Sequence, residues 1–464
     1  MAQGVPNRKS EIENQNFKMS DTPQLSNLER TVFHPMEKTG WEFYAVSIVL
    51  IGLVLFGAYA YITQLMYGLG VTGLSRPVYW GMYFTNFVFF IGISHAGTLI
   101  SAILRVTQAE WRRPITRIAE AITAFALVLG ASQILFDLGR LDRILNMVLY
   151  GRFQSPFVWD LACIGVYFLS SITYLYLPMI PDMARLRDKW TDAPKWRRTL
   201  YKFLAFGWRG NNEQLHRLEK AIGVMAILII PIAVSVHTVV SWDFSMTLQP
   251  MWHSTIFGPY FVVGAIFSGI AMLFIFMTIV RRVWHLEKYI TDKQYNYLGL
   301  LLLVMSAFWS YFTFAEYLTT YYGATIDEMN VANLKMWGDF NVYFWTMVFC
   351  CAIVPFAVLL WRRGRTPLGT TIAAIFIAIG MWLERFTIVA PTLTRPRLAF
   401  QWAIYQPTWV EIGILVGSLA LFSLLFFWFF KLFPTMAMWE VEEGQVIAER
   451  RALVDKMTAS APAE

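Results

Sequence analysis

The sequence predicts an all-α integral membrane protein with ten transmembrane helices, and three observations carry that prediction. The 464 residues are 57% hydrophobic and only 15% charged, whereas a soluble domain carries about 25% charged residues. The apolar residues gather into ten runs, each reaching the roughly 20 residues that a helix needs to cross about 30 Å of hydrocarbon. Ionisable residues interrupt these runs mainly near one end. Barrel strands would instead give short alternating segments, and lipid admits only helices or closed barrels.

In chain order the runs are 43–66, 79–104, 118–137, 157–180, 220–242, 256–281, 297–320, 339–361, 369–390 and 409–432. Residues 1–42 are polar and mixed in charge. They lack the basic start, apolar run and small-residue cleavage site of a secretory signal, so the N-terminus is expected in the cytoplasm. The connections at 105–117, 181–220, 281–293 and 362–365 hold 21 Lys plus Arg. Those at 67–78, 138–156, 243–255, 321–338 and 391–408 hold seven. The positive-inside rule then puts the first set, and both termini, in the cytoplasm. The net charge of +7 is thereby a topology signal and gives no reason to expect nucleic acid as a partner.

Within a membrane domain of 43–432, spans two to five (79–242) and six to nine (256–390) are expected as two four-helix bundles flanked by helices 1 and 10. The connection 181–219 interleaves Trp190, Trp196 and Trp208 with Arg and Lys, a composition that suits a lipid head-group layer, or simply a solvated loop. The tail 433–464 has helix-forming composition and either caps the cytoplasmic face or meets a partner. Cys163, Cys350 and Cys351 all fall inside spans, and no CxxC or Cys/His spacing suits zinc or an iron–sulfur cluster. No metal site, haem or iron–sulfur cluster is expected in this chain, so redox chemistry would need a diffusible cofactor or a partner's centres.

A charged side chain inside a bilayer costs several kcal/mol unless it pairs, snorkels or faces a polar cavity. Asp137 ends span three and Asp160 begins span four, with Trp159 beside it. His237 and Asp243 close span five, Glu316 lies in span seven, and Glu384 with Arg385 lies in span nine. The bland reading of Asp160 is a helix start favoured by the dipole. Glu384 and Arg385 point about 100° apart, so each is expected to reach a neighbouring helix, Arg385 to Asp243 in particular. Asp137, Asp160 and His237, with Arg140, Tyr83 and Asn86, are expected at one depth in one bundle. Carboxylates and a histidine beside aromatic walls suit a quinol, which must lose two protons along with two electrons. His95 is expected deeper, either in a proton relay or bonded to a helix backbone carbonyl. With Glu316, Glu384 and His253 it makes up the candidate proton path.

Six stretches make the chain familiar: Gly92 to Leu104, Ser155 to Asp160, Ser235 to Phe244, Trp252 to Phe261, Tyr311 to Leu318 and Gly380 to Phe386. Through them it resembles the polysulfide-reductase membrane-subunit family (NrfD type), and within it the ActC subunits of bacterial alternative complex III. The resemblance implies a bacterial inner-membrane subunit that oxidises menaquinol near the outer, periplasmic face of the first bundle. It implies partners: a peripheral iron–sulfur, molybdopterin-like subunit, a second NrfD-type membrane subunit and c-type cytochromes. Asp160 matches the family's quinol-site carboxylate, and Asp243 and Arg385 match polar residues of the same region. The chain departs at Asp137, where ActC proteins carry histidine, and this leaves the direction of electron flow open.

Three other readings stand beside this one. A quinone-reducing subunit of the same fold would run electrons the other way. A secondary transporter typically has helices broken near the midplane, whereas here the polar cluster is at one edge. A haem protein needs axial ligands on facing helices, and His95 and His237 are expected at different depths.

Overall fold

In a computed structural model, described for residues 27–190 and 193–459, ten helices are long and apolar enough to cross a membrane. This is a multi-pass membrane protein, and among the described residues it has no strand. The ten spans are α2 (Trp41–Tyr67), α3 (Met82–Val106), α4 (Thr116–Asp137), α5 (Pro156–Tyr176), α8 (Asn212–Ser245), α9 (Phe257–Val283), α10 (Asp292–Gly323), α12 (Asn341–Leu359), α13 (Pro367–Thr394) and α14 (Trp409–Leu432). The remaining helices are α1 (Asn27–Glu37), α6 (Met179–Lys189), α7 (Lys195–Leu204), α11 (Ile326–Met336) and α15 (Met438–Ala459).

The helices at the centre are covered by protein rather than lipid on most sides: the apolar window of α3 is 88% buried and that of the peripheral α2 only 17%. α3 packs against α4, α8 and α9, while α5 packs against α8 and α4. α9 packs in turn against α10 and α13, and α12 lies along α13. α2 and α14 pair at the periphery, where small residues allow close approach. A Cβ on Gly417 would sit 2.7 Å from the Cα of Gly57, and one on Gly413 would sit 2.9 Å from the Ala60 methyl. Gly417→Val is therefore expected to push α2 off α14, with an overpacking loss of about 1–3 kcal/mol. A thermal melt of the purified variant, compared with wild type, checks this.

α12 contains one π-turn, Phe349–Ile353. Its cause is Pro355, which has no N–H to donate back to Cys351. The Ser306 hydroxyl donates to that carbonyl instead, at 2.7 Å.

The loops rich in Lys and Arg form one end of the molecule, called the basic end below. α1 docks there: Phe33 stacks on Trp190 with centroids 6.2 Å apart, and Lys431 Nζ donates to the carbonyls of Pro35 and Lys38. Trp190 and Trp208 are buried, contrary to a head-group role for all three tryptophans of this segment. Trp190 stacks between Phe33 of α1 and Tyr201 of α7, and of the three only Trp196 stays exposed. The C-terminal stretch also caps this end. Arg105 and Arg112 pair with Glu440 of α15, Arg113 donates to the Glu440 carbonyl and pairs with Glu443, and Arg185 pairs with Glu442 at 2.8 Å.

Candidate functional site

Asp160 and Asp243 meet where α5 begins and α8 ends, at the end opposite the basic loops. Pro156 occupies the first turn of α5, a position where its missing N–H is harmless, and the helix then carries Asp160 inward one turn later. Both carboxyls are buried, at 4% and 3% exposure, and each lies within the other's field. Asp160 Oδ1 and both oxygens of Asp243 find no hydrogen-bond partner in the protein. Buried polar atoms in native proteins are nearly always bonded, so each such exception calls for an explanation.

An aromatic cluster lies at the same end of α5 and α8. Trp80 stacks on Phe84 with centroids 4.0 Å apart and meets Phe157 and Phe244 edge-on. Trp159 meets Trp242 at 6.1 Å. Phe157 and Trp159 neighbour Asp160 in sequence, and Trp242 and Phe244 neighbour Asp243. The same helix turns thus bring rings and carboxyls to one end of the molecule, although adjacent residues leave a helix about 100° apart.

His237 lies six residues before Asp243, about 9 Å along the helix axis. Neither ring nitrogen of His237 has a partner in the protein, and the residue is fully buried. Its ring centroid is 4.5 Å from that of His95. This corrects the expectation of different depths: α3 and α8 cross so that the two imidazoles touch. His95 is also held by backbone, with Nδ1 2.7 Å from the Ile91 carbonyl and Nε2 2.8 Å from the Ala233 carbonyl. Tyr167 covers its other side at 4.8 Å.

The remaining expected members divide among separate places. Asp137 feels the charge of Glu411 and neighbours Tyr83, whose hydroxyl donates to Gln64 Oε1 at 2.5 Å. Glu411 accepts from Gly73 N, from Thr408 N and from the Tyr405 hydroxyl. Asn86 faces a third group, accepting from Trp382 Nε1 at 2.9 Å. Arg140 is on the surface, paired with Asp142 at 2.7 Å. These residues therefore do not form one cluster with Asp160. A similar distance from a helix end suggests a shared site, but the side chains leave their helices in different directions.

Arg385 does not reach Asp243. Its Nη1 lies 2.9 Å from Glu384 Oε2, within ion-pair distance, although the alignment is too poor for a hydrogen bond and both carboxylate oxygens of Glu384 lack one. The guanidinium lies 4.6 Å from the centre of the Phe261 ring, which itself packs 6.0 Å from His237. Gly264 makes this possible, because a Cβ there would sit 2.6 Å from Arg385 Nη2. Glu316 accepts from Ser254 Oγ at 2.6 Å, and His253 Nε2 lies 2.9 Å from Glu328 Oε1 on the exposed side.

Several polar residues here were not singled out in the sequence. Gln64 and Glu411 lie on the flanking spans. A Thr-x-x-Glu capping pattern at Thr408 to Glu411 marks Glu411 as a residue with a backbone role. Lys335 sits in a stretch read as a connection, which the structure shows to be helix α11. Among the described residues, no three His, Cys, Asp or Glu converge as a metal site.

The model of the NrfD polysulphide reductase family matches residues 70–397, a stretch that holds Asp160, His237, Asp243 and Arg385. The chain belongs to the NrfD polysulphide reductase family. It is 27% identical over 415 residues, 83% of this chain and 89% of the relative, to a putative dimethyl sulfoxide reductase membrane subunit of Halobacterium salinarum. It is 25% identical over 428 residues to the Hdr-like menaquinol oxidoreductase integral membrane subunit of Archaeoglobus fulgidus, covering 89% and 98% of the two chains. It is 24% identical over 422 residues to the integral membrane subunit of a menaquinone reductase of Nitratidesulfovibrio vulgaris, covering 85% and 92%. All three relatives are named as membrane subunits of oxidoreductases, and each match runs over most of both chains.

Proposed function

We propose that the chain is the quinol-binding membrane subunit of a quinol:acceptor oxidoreductase, with its site at Asp160 and Asp243. The observation that carries this reading is the buried carboxyl pair, unpartnered in the protein, with an aromatic cluster at the same end of α5 and α8. The residues fit a quinol: the nearby aromatic rings suit its flat ring, and free carboxyl oxygens accept its two hydroxyl protons. Menaquinol is the favoured quinol, given the names of two relatives. When bound, it supplies two electrons and two protons.

The protein's part is to orient the ring and take up the protons. Asp160 and Asp243 act as acceptors at the two carboxyls, by general base catalysis within hydrogen-bond reach. His237 and His95 stand about two turns further in and hold the inner end of the route. Arg385 keeps a positive charge near His237 without touching the acids. By the positive-inside rule the basic end is cytoplasmic, with both termini, and the carboxyl pair faces the periplasm of a bacterial inner membrane. Electrons then leave to an iron–sulfur partner subunit and on to a c-type cytochrome, as in an alternative complex III, with a second NrfD-type subunit beside this one. One relative is named as a menaquinol oxidoreductase subunit and another as a menaquinone reductase subunit, so reduction of quinone at the same residues is the second reading.

The test is titration of the purified complex with a fluorescent quinone analogue, in wild type and Asp160→Asn. Saturable quenching that weakens at least tenfold, about 1.4 kcal/mol, in the variant is the expected result. Equal binding in both proteins would return Asp160 to the role of a helix start.

A further inference from the structure

A second polar centre lies between α9, α10, α11 and α13, apart from the carboxyl pair. It surrounds a cavity of about 30 Å³ lined by Tyr260, Thr313, Glu316, Lys335, Glu384 and Thr387. That volume holds one or two waters, at roughly 10–15 Å³ each. Lys335 projects into it from α11, a short helix packed on α10, α12 and α13, and is only 4% exposed. A buried lysine is rare unless paired, and this one faces two carboxylates, Glu316 and Glu384, through their fields. Among the described residues neither lies within the 4.0 Å of an ion pair with it.

We propose that Lys335, Glu316 and Glu384 form a proton-loading site in which the lysine carries the exchanged proton and cavity water bridges it to the two carboxylates. In the transfer an N–H bond of the ammonium breaks and an O–H bond forms on a carboxylate, leaving an amine and a carboxylic acid. The reverse step restores both charges. Every element packed against α11 contributes to the setting: Glu316 and Tyr317 from α10, Glu384 from α13 and the apolar Met347 from α12, with Arg385 behind Glu384 as its ion-pair partner. α9 adds Tyr260, whose hydroxyl lies 3.2 Å from that of Thr313.

The site has a connection on each side. Outward, Ser254 donates to Glu316, and the adjacent His253 pairs with Glu328 at the exposed edge. Inward, Glu384 pairs with Arg385, which lies over Phe261 and acts on His237. A change of charge at the cavity is thereby felt at the histidine pair, and by linkage the reverse holds. Burial lowers the Lys335 ammonium to about 8, with Glu316 and Glu384 pulling the other way, so the lysine exchanges its proton near physiological pH. The loading site stands on the cavity alone, and only its link to turnover rests on the quinone reading.

The experiment is an isotope-edited infrared pH titration of the purified complex carrying labelled lysine, in wild type, Lys335→Met, Lys335→Arg and Asp160→Asn. Wild type is expected to show one lysine deprotonation near pH 8. That step is expected to vanish in Lys335→Met and in Lys335→Arg, whose guanidinium stays charged. It should persist in Asp160→Asn even where quinone binding is lost, which separates the two proposals. If Lys335→Met fails to fold, Lys335→Arg carries the comparison. A step near pH 8 that survives in Lys335→Arg, or one that vanishes in Asp160→Asn alone, would overturn the assignment.

Discussion

Changing Asp160 or Asp243 to asparagine is expected to slow quinol-dependent turnover of the purified complex by roughly 10²–10⁴-fold, the usual contribution of a positioned acid–base group. The amide keeps the volume and polarity of the side chain but cannot accept a proton in the same way, so the fold should survive. The two carboxyls lie in each other's fields and serve one ligand, so their effects are not independent. The double variant should therefore be little slower than the worse single variant, as found for groups that act as a unit. Steady-state rates of the three variants make the measurement. Multiplicative losses would mean two separate sites, and full activity in Asp243→Asn would confine the chemistry to Asp160.

The largest structural effect is expected from Glu440→Ala. Glu440 is almost fully buried, at 2% exposure, and is the shared partner of Arg105 and Arg112. Removing it takes from the buried Arg112 and the half-buried Arg105 their shared ion-pair partner, a loss of up to about 3–5 kcal/mol. Because Glu440 is on the first turn of α15, the loss should appear as detachment of the C-terminal helix. Limited proteolysis of the C-terminal segment would then run far faster than in wild type.

The same contact should depend on pH. Burial alone would push the Glu440 carboxyl up, but Arg105, Arg112 and Arg113 outweigh it and hold the group below its ordinary value of 4.5. A carboxyl held low in the folded protein contributes stability that is fully present above the unfolded value. That stability is lost as pH falls below about 4.5 and through the lower folded value. Proteolysis of wild type should accelerate in that acid window, and that of Glu440→Ala should not change with it. Identical acid profiles in the two proteins would show that other groups hold α15.

Much of this is legible in the residues. The spans can be read because lipid demands long unbroken apolar runs, and the expected edges of 409–432 coincide with those of α14. Asp160 and Asp243 stand out as ionisable residues at span ends. Lys335 does not, because a single lysine in a mixed eleven-residue helix has no periodic signature to reveal its burial. The pairing of Arg385 escapes the sequence for a related reason. Adjacent residues diverge on a helix, and only the space left by Gly264 and the ring of Phe261 shows where the guanidinium goes.

Composition counted along the chain is enough to set the solvent, the number of spans and the basic end. Which polar groups meet depends instead on how the helices pack. His95 and His237 touch because α3 and α8 cross at those turns, and Asp137 joins Glu411, not Asp160, because its side chain faces α14 rather than α5. A linear pattern places a residue along its own span, whereas relative depth and contact between helices depend on their rotation, tilt and crossing. Those angles come from the packing of side chains that are apolar on every face and so carry no pattern of their own.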